Sequence, residues 1–530
     1  MVGAGHNGLT AANMLTDAGW RVTVFEANEE PGGAVRSAEL TAPGFHSDLG
    51  AAFFPLGAAS PVLRALRLEE YGLVWRHAPV ELAHVLADGR CVELSRDVGH
   101  TAASLARFAP PDGAAWQAMY QQWQRVGPHL VGSLLRPFPP LRPSLGLLRA
   151  LGSGAEALRF TRWALLSAQR MGEERFVGEG GRLLLAGNAL HSDLGPNAAG
   201  SGLFGWMLAM LGQQVGYPVP EGGASRLTEA LVNRLTSRGG SLVCGAPVTR
   251  IELRRDRAAG IRLVDGHVEP ADAVLADVAA PTLYHQLVGD THLPDRLRRD
   301  LRHFGWDHGT VKLDWALSAP IPWTARPARD AAVVHVGGDM AELAGGAVAL
   351  ASGLLPDPPF VLVGQLSTVD ASRAPSGKAS VWAYTHVPWG LSGTDNWLAE
   401  QVTRVEEAIE RRAPGFRSLV VGRHVDGPSE LSRMDRNLVS GAVNGGTAAL
   451  HQQVVFRPVP GLARAETPVP GLYLAGASAH PGGGVHGACG ANAARAVLAR
   501  TGGAGLPARA GSVALRVALR RLFRNTEGDW

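Results

Sequence analysis

At 530 residues, with 46% apolar and 18% charged side chains, the chain is too long for one ordinary hydrophobic core and too apolar to be disordered. A net charge of +3 without a basic stripe excludes the nucleic-acid-binding class. Cys91, Cys244 and Cys489 are the only cysteines and lie far apart, which excludes a disulfide framework, a zinc cluster and a redox dithiol. The histidines lack ligand spacing, so no metal is expected. Lys312 and Lys378 are the only lysines among 50 basic residues, an arginine bias that fits a GC-rich bacterial genome.

The first residues read as a β-α-β unit. The loop Gly3-Ala4-Gly5-His6-Asn7-Gly8 opens a helix whose apolar positions Leu9, Ala12, Leu15 and Ala18 recur at helical spacing, and Gly19 stops it. Residues 20–25 then read as a strand ending at Glu26, followed by a turn at Pro31-Gly32-Gly33. Residues 101–215 predict a mostly helical region, broken by the prolines at 137–140. Within it, the uncharged stretch 197–220 reads as a buried helix rather than a membrane span, because glycines interrupt it. A helix over 226–235 leads into β runs at 241–244, 248–253, 260–263 and 273–276. Residues 311–316, 360–366 and 380–386 predict strands of a second sheet. Residues 471–476 form a last strand running into a glycine turn, with a helix over 488–500.

The glycine loop carries the chemistry. A helix start offers unpaired N–H groups and the positive end of the helix dipole, where a pyrophosphate can sit. Gly3 permits the turn, Gly5 lets the phosphate approach the backbone, and Gly8 allows helix and strand to pack closely. Glu26, about 20 residues further on, stands where a carboxylate accepts bonds from ribose hydroxyls. The motif points to dinucleotide binding, with FAD or NAD open at this point.

The doublet Gly32-Gly33 and Arg36 resemble the GG-doublet flavoproteins, in which this turn flanks the FAD pyrophosphate. The segment 474–487, Leu-Ala-Gly-Ala-Ser-Ala-His-Pro-Gly-Gly-Gly-Val-His-Gly, resembles the closing flavin motif of the phytoene dehydrogenase family. Within that family it is most similar to the branch called pyridine nucleotide-disulfide oxidoreductase domain-containing protein 2. The run to Asp48-Leu49-Gly50 and the strand at 312–317 match as well. The resemblance implies FAD as cofactor, a position near the adenine for Val248, and a place at the flavin for Gly476, Gly484, Val485 and His486. Backbone N–H groups around Val485 and His486 are expected to stabilise negative charge on the reduced ring. Gly476-Ala477 lacks the carboxylate that the family's motif often carries on the phosphate side. No second Rossmann-type glycine loop is present to hold NAD(P)H.

The expected architecture is α/β. A discontinuous Rossmann-type FAD-binding domain is drawn from 1–100, 221–290 and 465–505, and a mixed sheet-plus-helix substrate domain from 101–220 and 291–464. The resemblance implies an FAD-dependent oxidoreductase that takes a hydride from an apolar, isoprenoid or lipid-like substrate onto flavin N5, with oxygen or a quinone as electron acceptor. Amine oxidation, carotenoid ketolation and a non-enzymatic prenyl carrier of the GDP-dissociation-inhibitor type are the rival readings. No catalytic acid or base is assigned; His386 reads first as a hydrogen-bonded structural histidine and second as a pocket residue. No signal peptide precedes the glycine loop, so a cytoplasmic location is expected. Only Met1 and Val2 precede Gly3, fewer than a Rossmann first strand needs, so a gap in the sheet and a native start upstream are expected. In the tail 506–530, Arg516, Arg520, Arg521 and Arg524 interleave with Leu515, Leu519, Leu522 and Phe523. This basic amphipathic helix is expected to pack on its own domain or to touch a membrane surface.

Overall fold

The β-α-β unit forms as its pattern dictates. In the computed structural model, which describes residues 1–391, 396–501, 514 and 517, α1 (His6–Asp17) leads to β1 (Thr23–Phe25). The chain then supplies β2 (Val80–Val85) and β3 (Cys91–Leu94). A helical stretch follows: α2 (Asp112–Leu134), α3 (Leu141–Leu151), α4 (Gly154–Ala164), α5 (Glu179–Ala189), α6 (Ser201–Val215) and α7 (Ser225–Ser237). Next come β4 (Ser241–Val243), β5 (Val274–Ala276), β6 (Gly309–Leu317), β7 (Ala331–Val336), β8 (Val361–Gln365), β9 (Ala379–Val387) and β10 (Val420–Asp426). The last elements are β11 (Leu472–Leu474) and α8 (Ala488–Thr501). The fold is mixed α/β, as its sequence implies.

A small parallel sheet carries the glycine loop. β4 pairs with β1, and β5 pairs with β11, all parallel. Residues 1–3 lie between the two pairs. Gly3 N donates to Phe25 O (2.8 Å), Phe25 N to Met1 O (2.9 Å), Val2 N to Leu275 O (2.9 Å) and Asp277 N to Val2 O (2.8 Å). The expected gap beside the glycine loop is therefore absent. The neighbouring strands are themselves only three residues long, so Met1 to Gly3 are enough to hydrogen-bond to both. α1 packs against α7 and α8. Asn13 Nδ2 donates to Leu231 O of α7 (2.9 Å), and the buried Arg234 pairs with Asp17 (2.8 Å).

Among the described residues, the larger sheet has seven strands in the order β10-β6-β9-β8-β7-β2-β3. Its pairs are antiparallel except β7 with β2. Residues 80–94, grouped with the FAD domain on sequence, pair into this sheet, because β2 aligns with β7 along its whole length. One face is covered by α2, α5 and α6, with Trp116, Trp123 and Trp206 fully buried in the layer between. The opposite face buries Trp315, Trp323 and Phe416. Asp48, next to the glycine-rich turn, pairs with Arg373 at 2.7 Å with both side chains fully buried, which ties the two sheets together. Among the described residues no helix is long and apolar enough to cross a membrane. The arginines and leucines of the 506–530 tail lie outside the described residues.

Candidate flavin site

Gly3, Gly5 and Gly8 are each required by what surrounds them. Gly3 has φ +85°, in the left-handed region, where a side chain would also meet Asp277 O at 2.8 Å. A Cβ on Gly5 would stand 2.7 Å from Asp277 Oδ2, and one on Gly8 2.3 Å from Gly3 O. The N-terminus of α1 has no side-chain cap and no acidic residue in its first turn. Among the described residues His6 and Asn7 N–H find no acceptor, and the buried Asn7 Oδ1 has no partner. Such a helix end wants an anion.

Glu26 sits at the end of β1, buried, where Oε2 accepts from Ala4 N (2.7 Å) and Oε1 from Asn28 N (3.0 Å). It is locked beside the loop with lone pairs left for a ribose. Ala246 N donates to Glu26 O (2.8 Å), which brings Val248, two residues on and half-buried, to the same end. Gly32 N donates to Ala4 O (2.9 Å), so the doublet Gly32-Gly33 folds over the loop. Arg36 is held by Gly33 O (2.9 Å) and Met434 O (2.9 Å).

The sequence reading missed two acidic groups here, Asp277 and Asp435. Asp277, just past β5, accepts from Gly8 N through Oδ2 (2.8 Å). Its Oδ1 lies 3.1 Å from where a Cβ on Gly476 would be. A carboxylate therefore does stand at Gly476, but it comes from another strand. Burial, with Asp435 and Glu26 nearby, pushes the Asp277 carboxyl up to about 8. Burial raises Asp435 as well. The rule that ligands sit at the carboxyl ends of parallel strands would have marked Asp277.

The closing segment brings a second helix end to the same place. α8 crosses α1 so closely that a Cβ on Gly490 would lie 1.8 Å from Asn7 O. His6 Nε2 bonds Gly484 O (3.2 Å). The N–H groups of Gly483, Gly484 and Val485 find no acceptor among the described residues. His486 departs from expectation. Its N–H donates to Gly484 O (3.1 Å), and its Nδ1 accepts from Ala488 N (3.0 Å), so it caps α8 instead of presenting an amide. Burial lowers His486 to about 3 and His6 to about 4, which leaves both neutral.

Next to this segment lies the helix-facing side of the large sheet. Leu56 reaches within 2.9 Å of a Cβ position on Gly484, and Phe53 meets Trp382 edge-on at 6.2 Å. Trp382 meets Tyr384 at 5.3 Å, and Tyr384 meets His386 at 5.3 Å. Across the register Tyr384 faces Lys312, which forms a buried ion pair with Asp314. His386 Nε2 donates to Leu190 O (3.1 Å), and its Nδ1 is buried and unpaired. His386 is thus a hydrogen-bonded histidine that also lines a cleft, together with Leu190, Leu343 and Phe360. His191 and His335 share one hydrogen bond (2.8 Å), and His84 stacks edge-on against His335. Burial lowers His84 and His386 to about 4 and His191 to about 3.

Comparison with known proteins decides the class. The chain matches the family described as flavin containing amine oxidoreductase over residues 8–498. It belongs to that family. It is 28% identical to pyridine nucleotide-disulfide oxidoreductase domain-containing protein 2 of Mus musculus, over 94% of this chain and 92% of that protein. It is 26% identical to the lycopene-forming phytoene desaturase of Pseudescherichia vulneris, over 92% of this chain and 96% of that one. An oxidoreductase structure from Methanosarcina mazei shares the fold with a TM-score of 0.61 at 18% identity, covering 94% of this chain and 98% of that one. The chain is an FAD-dependent oxidoreductase, and the two uncapped N–H clusters, the buried Glu26 and the glycine cradle fit that cofactor.

Proposed function

We propose that this flavoenzyme oxidises an apolar, isoprenoid or lipid-like substrate at carbon. When bound, FAD supplies the two-electron acceptor. The observation that carries the reading is the apolar, neutral character of the helix-facing side of the large sheet beside the closing segment. Phe53, Leu362, Trp382 and Tyr384 supply its surface, and the histidines at 84, 335 and 386 are held neutral by burial. On that register Lys312 and Asp314 form a buried ion pair, and Asp426 of β10, across from Lys312, pairs with His424. A hydrocarbon loses nothing against such a surface, whereas an ammonium loses its hydration.

Amine oxidation is less well supported. A cage for an amine needs two aromatic faces held apart, and Trp382 and Tyr384 are in direct edge-on contact. Similarity to carotenoid desaturases over nearly the whole chain supports the apolar reading. The lack of a second Rossmann-type glycine loop supports oxygen or a quinone, rather than a nicotinamide, as the electron acceptor.

The test is anaerobic. FAD-loaded protein is mixed with an acyclic polyene in mixed micelles and, separately, with aliphatic amines. The polyene is expected to bleach the flavin and acquire a longer conjugated system. Bleaching by an amine alone would overturn the reading.

A further inference from the structure

Two consecutive helices expose a leucine face that the flavin chemistry does not use. α3 has no buried residue. Leu141, Leu145 and Leu148 follow one another at one-turn spacing with 73%, 48% and 55% of their surface exposed. On α4 and at its end, Leu158 and Leu165 are 72% and 55% exposed. Single exposed leucines are ordinary; a run along one helix followed by more on the next is not.

The unpaired charge on α3 has one sign. α3 carries Arg142 and Arg149 and no carboxylate. Both arginines are exposed, and neither has an ion-pair partner among the described residues. On α4, Arg159 and Arg162 are already paired, with Glu156 and Glu174. The loop before α3 is anchored to the flavin site. His480 Nε2 donates to Arg136 O (3.1 Å), and Arg464 Nη1 donates to Phe138 O (3.3 Å).

We propose that α3 and α4 form a docking surface for an anionic lipid bilayer, with Leu141, Leu145 and Leu148 entering the acyl boundary and Arg142 and Arg149 meeting lipid phosphates. Leucines on one side of a helix with free arginines beside them suit a headgroup interface. The other two occupants suit it less. A second copy meeting this face about a two-fold axis would bring the unpaired arginines of one α3 up to those of the other, like charge against like. The tail 506–530 carries Arg516, Arg520, Arg521 and Arg524, the same sign again.

The experiment is co-sedimentation of the full-length, FAD-loaded protein with phosphatidylcholine vesicles, with and without phosphatidylglycerol. Three variants are compared with wild type: a triple Leu141→Ser, Leu145→Ser, Leu148→Ser change, a double Arg142→Gln, Arg149→Gln change, and a deletion from Ser512 onward. None of the substituted side chains is buried, so FAD content and melting temperature serve as controls for folding. Wild type is expected to bind the phosphatidylglycerol vesicles. Both substitution variants should lose roughly tenfold or more in partitioning, and the tail deletion should keep a clear difference between the two vesicle types. Three results would overturn the proposal: equal sedimentation of the serine variant and wild type, loss of binding only on tail deletion, or a wild-type dimer that the serine variant dissociates without any vesicle binding.

Discussion

The parallel sheet around Met1–Gly3 and the seven-stranded sheet around β9 place functional groups in different ways. In the first, the reactive surface is backbone: free N–H groups at the start of α1 and in the glycine turn before α8, reached through glycines whose missing side chains make the room. In the second, the surface is side chain: Trp382, Tyr384 and His386 spaced two residues apart on one strand, so that all three face the helical layer. A cofactor common to a family can be held by backbone, which changes little from one sequence to the next. A substrate particular to one enzyme needs side chains, which change freely.

That division can be broken most severely at a glycine. Gly8→Val would drive Cβ into Gly3 O, 2.3 Å away, with backbone on one side and the buried Asp277 side chain on the other. FAD per polypeptide should fall below about a tenth of wild type, with a stability loss of about 1–3 kcal/mol or more. Near-normal flavin absorbance and melting temperature would show that the loop is not held as tightly as described. Glu26→Leu comes next. It leaves Ala4 N and a ribose hydroxyl unpaired and should weaken FAD binding by about 1–3 kcal/mol in a fluorescence titration.

Asp277 gives a smaller, pH-dependent effect. Its carboxyl titrates near 8 instead of 3.8. Below that pH it holds a proton and is neutral; above it, the carboxylate faces the pyrophosphate. FAD affinity should therefore fall as pH rises through about 8, by at most about tenfold per pH unit. Asp277→Asn should bind with little pH dependence over that range. A wild-type affinity that stays flat across it would remove Asp277 from the account. The smallest expected effect on cofactor binding belongs to Trp382→Phe, which keeps an aromatic ring against Phe53. FAD affinity should stay within about twofold while anaerobic flavin reduction slows.

What could be read beforehand follows the same division. The glycine loop, Glu26, the Gly32-Gly33 turn and the closing segment are short and contiguous, so their chemistry is visible in the sequence. Asp277 escaped notice because its partner, Gly8, lies far away along the chain; only the parallel pairing of residues 1–3 with β5 brings them together. His486 was read by position, but the turn at Gly484 uses up its N–H. β2 and β3 were missed because buried polar residues such as Glu81, His84 and Glu93 interrupt their apolar runs. Their long-range register with β7 is what makes them strands.

The most direct test of the central claim, that the parallel sheet holds FAD while the large sheet selects substrate, measures two quantities in the same two variants. FAD dissociation constants and the rate of anaerobic flavin reduction by an acyclic polyene, at saturating FAD, are determined for Glu26→Leu and Trp382→Phe. The account predicts that Glu26→Leu raises the dissociation constant and leaves the reduction rate near wild type, while Trp382→Phe does the reverse. If both quantities move together in both variants, the two sheets do not divide the work, and the claim fails.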